Sequence, residues 1–409
     1  MSSVDAASPR PRHLRLVRHV ERPVAASRTR ADAVSRRTVA LLLGSTACLV
    51  VTGLVMVLSA SSVSAFAQYG DSFVFVQRQA AYAVVGVGAL LLASKMRPEA
   101  WRRLAWPLLL ITLAMLVLVL VPSTGIEAYG SSRWFQLGPV TVQPSELAKL
   151  TLVVFAAAVL TKKWGRLDDL GHLAIPLVPV YAIVCALVML QPDLGTTTLI
   201  VGTVFLMLFA AGVRLRYLSV AGAVAGVAGM ALILGEEYRR ERFLAFLHPL
   251  TDKTNTGWQL TQGLIALGSG GWFGVGLGAS RQKWMYVPNA HTDFVFAILG
   301  EELGLVGEFV VLLAFGVLLY AGVRVAARAP DVFGRLLAAG IVSWLGLQVI
   351  VNLGAVTGVL PITGVPLPLV SYGGSSLVVT LGSIGVLVSI ARAPARRRSA
   401  GKAPPRSAR

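Results

Sequence analysis

Charge is scarce in this 409-residue chain: only 14% of its residues are Asp, Glu, Lys or Arg, against about a quarter in soluble domains. With 55% hydrophobic residues and a mean hydropathy of +0.72, the main solvent it is built for is lipid. Acid is scarcer than base, 19 Asp and Glu against 37 Lys and Arg, which leaves a formal net charge of +18. On a soluble fold that excess would suggest nucleic acid, but here the basic residues punctuate apolar runs and form no compact basic face, so no nucleic-acid partner is expected. The chain has two cysteines, Cys48 and Cys185. Each lies in an apolar run with no Cys-x-x-Cys or histidine pairing, a pattern of packing and not of zinc or redox work. No internal repeat is visible.

What is present is a series of apolar stretches long enough to cross about 30 Å of hydrocarbon. They run over 39–58, 79–95, 104–121, 145–161, 172–190, 194–213, 217–235, 294–323, 333–356 and 369–391. The fold class expected is therefore an all-α polytopic membrane protein of about ten transmembrane helices. Residues 1–38, with nine arginines, and residues 392–409 lack apolar periodicity and are expected to be disordered basic tails that face membrane lipids. The domain between them, 39–391, is the membrane unit. Basic residues resist translocation, and they alternate by connection: Lys95, Arg97, Arg102 and Arg103; Lys162, Lys163 and Arg166; Arg214 and Arg216; Arg324, Arg328 and Arg335. An even number of spans then puts both termini in the cytoplasm. The long connection 236–293 faces outward, and its Trp258–Leu267 stretch suits a short interfacial helix.

Ionisable groups at or inside spans are expensive, so they face a bundle interior or a wet cavity. Asp293 opens the eighth span, and Glu301 and Glu308 follow at spacings that keep the three within about one quadrant of a continuous helix. Asp293 reads either as a first-turn carboxylate that stabilises the helix or as a reactive group. Glu301, Glu302 and Glu308 read as inward hydrogen-bonding groups or as part of a polar path. At the fourth span Pro144 suits the first helical position, and Glu146 with Lys149 makes an i,i+3 pair that can neutralise itself in the membrane. The same Lys149, with Arg133 upstream, has the chemistry to hold a phosphate, with Glu146 placing the lysine or a metal. Asp193, in Gln191-Pro192-Asp193, reads as a helix cap or as a site carboxylate.

A glycine run from Gly268 to Ala279 contains a G-x-G-x-x-A match. The dinucleotide fingerprint needs a preceding buried strand in a βαβ unit, so a tight, close-packed loop is expected instead. The run from Pro366 to Ser376 would delay the last helix and expose hydroxyls and backbone amides near the outer surface.

Four blocks in this order on one membrane face carry a resemblance. They are Arg133-Trp134-Phe135 with Gln143-Pro144-Ser145-Glu146; Gln191-Pro192-Asp193-Leu194-Gly195-Thr196; His291-Thr292-Asp293-Phe294 with Gly300-Glu301-Glu302-Leu303-Gly304; and Ser371-Tyr372-Gly373-Gly374-Ser375. Together they resemble the SEDS family of shape, elongation, division and sporulation proteins over most of 40–391. The resemblance implies a peptidoglycan glycosyltransferase of the bacterial cytoplasmic membrane that polymerises lipid II alongside a class B penicillin-binding protein. Arg281-Gln282-Lys283-Trp284 and the long basic N-terminal tail look more like the division branch than the elongation branch, which implies other division proteins as partners and the septum as location.

The resemblance makes Asp293 the general base. It makes Arg133, Glu146, Lys149, Lys283, His291, Thr292 and Ser371 substrate-binding residues, with Asp193, Glu301, Glu302 and Glu308 secondary. It implies no certain cofactor and leaves room for a divalent cation, magnesium or manganese, at the departing pyrophosphate. Two rival readings stand: a lipid II flippase, which would carry polar groups through the full membrane depth, and a scaffold for a partner synthase.

Overall fold

The computed structural model describes residues 24–121, 126–128, 131–137, 140–167, 169–247, 256–284, 286–288 and 290–393. Gly138, Pro139, Asn289 and the outer parts of both tails lie outside the described residues. The helices are α1 (Val24–Tyr69), α2 (Val74–Lys95), α3 (Pro98–Leu118), α4 (Pro144–Lys162), α5 (Leu170–Met189), α6 (Leu194–Ala210), α7 (Leu215–Leu234), α8 (Glu237–Leu247), α9 (Thr256–Ser269), α10 (Val295–Arg328), α11 (Val332–Val356) and α12 (Gly374–Arg392). Among the described residues nine are long and apolar enough to cross a membrane, and α6, with 17 residues, is a shorter tenth. α1 begins at Val24, inside the stretch expected to be a disordered tail. α8 and α9 lie in the long connection, and α9 includes the Trp258–Leu267 stretch.

α4 is the central helix, with Pro144 at its start and nearly every residue buried. α11 and α12 pack around it, and α2 lies against α12. That last approach needs glycine: a Cβ on Gly385 would sit 2.3 Å from the Leu90 carbonyl oxygen. At one end of the bundle the Ser35 hydroxyl donates to Ala391 O, so the start of α1 meets the end of α12, as an even number of crossings requires. At the other end the 122–144 connection holds a three-stranded antiparallel sheet, β1 (Ile126–Ala128), β2 (Ser131–Leu137) and β3 (Val140–Val142), with Phe135 opposite Val142. The sequence reading did not foresee it; the strands are only three to seven residues long. β3 is anchored because Thr141 N donates to Tyr82 Oη at 2.7 Å and Gln143 N donates to Ser375 Oγ at 3.0 Å.

α10 is not the continuous helix expected. Gly304 adopts φ 65°, ψ −169°, a conformation open essentially to glycine alone. The break frees peptide groups at membrane depth, where each unpaired group costs several kcal/mol. The glycine run supplies the partners: Val275 N donates to Glu301 O at 2.9 Å and Gly276 N to Glu302 O at 3.1 Å, while Leu305 N and Val306 N donate to Gly271 O and Trp272 O at 3.0 and 3.1 Å. The contact is too close for side chains, since a Cβ on Gly270 would lie 1.9 Å from Gly300 O and one on Gly274 2.1 Å from Glu302 O. The tight loop expected here is thus a plug for the break. The correction follows directly: Asp293 precedes the first helical residue and Glu308 lies beyond the break, so Asp293, Glu301 and Glu308 do not share one helical face.

Gly270→Ala is therefore expected to lower the melting temperature of the detergent-solubilised protein by about 5 °C or more, as core overpacking of a few kcal/mol would. Gly268→Ala, whose Cβ would meet nothing within 4 Å, serves as the control and should leave it unchanged or slightly higher. Equal melting temperatures for the two variants would contradict the plug.

Candidate functional site

The polar groups of the sheet end gather around the turn before α10. Asp293 is half-buried there. Burial pushes its carboxyl up to about 6, and Asp193 adds a smaller push in the same direction; Arg242, a hydrogen bond with the Thr292 side chain, and Arg133 oppose both. Three elements from distant parts of the sequence thus act on one carboxylate: β2 through Arg133, α8 through Arg242 and the α5–α6 turn through Asp193. A fourth wall comes from the 357–373 connection, where a Cβ on Gly364, itself at φ 73°, would lie 3.5 Å from Asp293 Oδ2.

Arg133 donates from Nε to Gln191 O at 2.6 Å and from a terminal nitrogen to Pro192 O at 2.9 Å. These are carbonyls of the turn between α5 and α6, so the guanidinium is held by that turn. Asp193 is the N-cap of α6: its Oδ1 accepts from Thr196 N at 2.9 Å and its Oδ2 from Thr196 Oγ1 at 2.8 Å. The capping role weighed for Asp193 and its place in the cluster are therefore both present.

The other expected residues are placed differently. Lys149 pairs with Glu146 at 2.7 Å and donates to Gln348 Oε1 at 3.1 Å; both charged side chains are buried, and the ammonium lies 5.3 Å from the centre of the Trp344 ring. The pair neutralises itself inside the bundle instead of presenting a lysine at the outer surface. Lys283 is also enclosed, donating to Gly278 O at 2.6 Å and pairing with Glu302 at 3.4 Å. Glu302 further accepts from Ser59 Oγ at 2.6 Å, and Glu301 accepts from Arg281 N at 2.9 Å and from Ser280 Oγ. Glu301, Glu302 and Lys283 thus pin the 278–283 stretch to α10. Glu308 lies near Gly300, whose added Cβ would meet its Oε1 at 2.2 Å.

His291 packs against Phe75 and Tyr372, with ring centres 4.8 and 5.6 Å away; burial pushes it down to about 4, so the imidazole is neutral at neutral pH. Its carbonyl accepts from Tyr372 N at 2.9 Å. Ser371 Oγ accepts from Leu367 N at 2.9 Å and so helps to fold the connection.

Sequence reasoning passed over Arg242, Gln79, Gln348 and Asn352. Arg242 carries a signal in retrospect: Arg239, Arg240 and Arg242 lie in the connection expected to face outward, against the bias that keeps basic residues inside. Gln79, Gln348 and Asn352 are buried amides in apolar helices. Gln79 donates to Ser371 O at 3.1 Å, Gln348 to Pro366 O at 2.9 Å and Asn352 to Val365 O at 2.8 Å.

Among the described residues no three His, Cys, Asp or Glu side chains converge, and both oxygens of Asp193 are engaged by Thr196. No step is assigned to a metal.

The sequence profile of the FtsW/RodA/SpoVE family, described as “Cell cycle protein”, matches residues 39–396. A Geobacter metallireducens protein named probable peptidoglycan glycosyltransferase FtsW is 45% identical over 338 residues, which cover 83% of this chain and 90% of that one. Stage V sporulation protein E of Bacillus subtilis is 42% identical over 353 residues, 86% of this chain and 96% of that one. Among solved structures, a chain from work on the coordination of polymerization and crosslinking by a peptidoglycan synthase complex aligns with a TM-score of 0.72 at 33% identity, covering 86% and 96% of the two chains. The crystal structure of the Thermus thermophilus rod shape determining protein RodA aligns at 0.63 and 32%, covering 86% and 95%. A bundle of ten apolar helices with this arrangement of motifs is thus a SEDS protein: the chain belongs to the FtsW/RodA/SpoVE family.

Because Lys283 and Glu302 are buried as a pair, Lys283→Met should destabilise the protein by about 3–5 kcal/mol, the cost of stranding a buried charge, read as thermal unfolding in detergent. A melting temperature equal to that of the unaltered protein would show that Lys283 is not enclosed by Glu302.

Proposed function

We propose that this chain is a peptidoglycan glycosyltransferase of the division branch, polymerising lipid II into β-1,4-linked glycan strands at the outer face of the bacterial cytoplasmic membrane. The observation that carries the reading is the half-buried Asp293 carboxyl, pushed up to about 6 beside two arginines. The division branch is supported by 45% identity over 338 residues to an FtsW-named relative; the elongation branch is the nearest alternative. A class B penicillin-binding protein is the partner this reading requires, with other division proteins at the septum.

The chemistry needs one base. Lipid II presents an α-linked sugar pyrophosphate, and attack by the acceptor 4-hydroxyl on C1 forms the new C1–O bond as the bond to pyrophosphate breaks, with inversion to β. The hydroxyl proton passes to the Asp293 carboxylate, a transfer that commonly contributes about 10²- to 10⁴-fold. Pyrophosphate leaves as an anion and needs no acid if its charge is met. Arg133 and Arg242, from two different elements, meet it. Lys149 acts one layer deeper, with Glu146 and Gln348, and does not carry the phosphate. The polar cluster lies at one end of the bundle, which favours catalysis over a flippase path through the full membrane depth.

Purified protein with its penicillin-binding partner is expected to convert lipid II into glycan strands, and Asp293→Ala to stop this while folding and partner binding persist. Normal strand growth by that variant would remove Asp293 from the mechanism and favour the scaffold reading.

The pH dependence has a definite sign. The base works as the carboxylate, so the rate should fall about tenfold per unit as pH drops below about 6. A carboxyl raised in the folded state binds its proton more tightly there than in the unfolded chain, so its protonation below pH 6 favours folding and does not unfold the protein. A rate flat from pH 7 down to 5 would contradict the assignment.

A further inference from the structure

Asn352 is only 2% exposed in the apolar body of α11. Its Nδ2 donates to Asp293 O at 2.9 Å and to Val365 O at 2.8 Å, so one amide nitrogen spends its hydrogens on two backbone carbonyls. Neither carbonyl belongs to a helical ladder. The hydrogen bonds of α10 start at Phe294 O, which accepts from Ala297 N and Ile298 N, so Asp293 O stands just outside. Val365 lies in the connection between α11 and α12, which has no helix and brings Gly364 against the Asp293 carboxylate. One turn earlier on α11, Gln348 holds Pro366 O and Lys149 Nζ. The two amides, four residues apart on one face, therefore set the register of 365–366 against both Asp293 and the Glu146–Lys149 pair.

We propose that Asn352 is a positioning residue for the reaction: by tying the Asp293 backbone to Val365, it fixes the direction of the carboxylate toward the acceptor hydroxyl. The inference rests on Asp293 being the base. The turn before α10 lacks the rigidity of a helix, and a displacement of about 1 Å in a reacting group can cost about 10²-fold in rate. A merely structural amide would relieve two orphaned carbonyls and leave the aim of the base unaffected.

Two variants separate lost donors from lost volume. Asn352→Ala removes both, whereas Asn352→Asp keeps the shape and removes the Nδ2 hydrogens. In polymerisation of lipid II by the complex with the penicillin-binding partner, both should lower kcat about 10- to 100-fold and leave KM for lipid II within about twofold. Asp293→Ala, run alongside, should be inactive. If it is inactive and both Asn352 variants keep kcat within about twofold of the unaltered enzyme, positioning is overturned and the base stands. A fall in melting temperature and a rise in KM accompanying any loss of kcat in both variants would reduce Asn352 to a staple of the fold and also overturn it. Activity in Asp293→Ala would defeat the base itself, and the role of Asn352 with it.

Discussion

A peptide group in hydrocarbon has no water to turn to, so wherever a helix of this protein is interrupted the protein must supply the missing hydrogen-bond partners. That constraint accounts for several of the polar residues of the bundle. The break at Gly304 is filled by the glycine loop. The non-helical Ile175 in α5 leaves carbonyls that Lys163 Nζ meets, donating to His172 O and Ile175 O. The α5–α6 turn is held by Arg133, and the long α11–α12 connection by Gln79, Gln348 and Asn352.

Three of these interruptions lie toward the sheet end of the bundle, and their convergence makes a site there. An unbroken helix shows its neighbours only side chains, whereas a broken one brings turns, backbone groups and glycine-narrow approaches together. Asp293 stands where the α10 turn, the α5–α6 turn and the α11–α12 connection meet. Many polar groups near it are already committed: Glu301, Glu302 and Lys283 to the loop, Asp193 to Thr196, Lys149 to Glu146. Asp293, with its raised carboxyl, has a proton to exchange near neutral pH.

The architecture was legible because spans are written in long apolar runs, and the observed helix limits differ from the expected ones by a few residues for most spans. Pro144 at a helix start, Asp193 as a cap and the delayed α12 followed from local rules that hold in lipid as in water. The break in α10 was not legible, because Leu303-Gly304-Leu305 reads equally well as a glycine tolerated in a helix; only the incoming loop decides. For the same reason Glu301 and Glu308 were put on one face. Sequence shows a cation such as Lys149 or Lys283 but not its buried partner. Asn352 and Gln348 escaped because attention to ionisable residues overlooks neutral amides, although a lone amide in an apolar span raises the same question of what it bonds.

The central claim is that the turn carrying Asp293 faces the exterior and receives the lipid-linked sugar. Thr292→Cys, in a chain whose Cys48 and Cys185 are replaced by serine, reports on it directly through a membrane-impermeant maleimide applied to intact cells and then to vesicles loaded with lipid II. The account predicts labelling from outside, slowed when lipid II is present. Labelling only from the cytosolic side, or at a rate indifferent to lipid II, would contradict it.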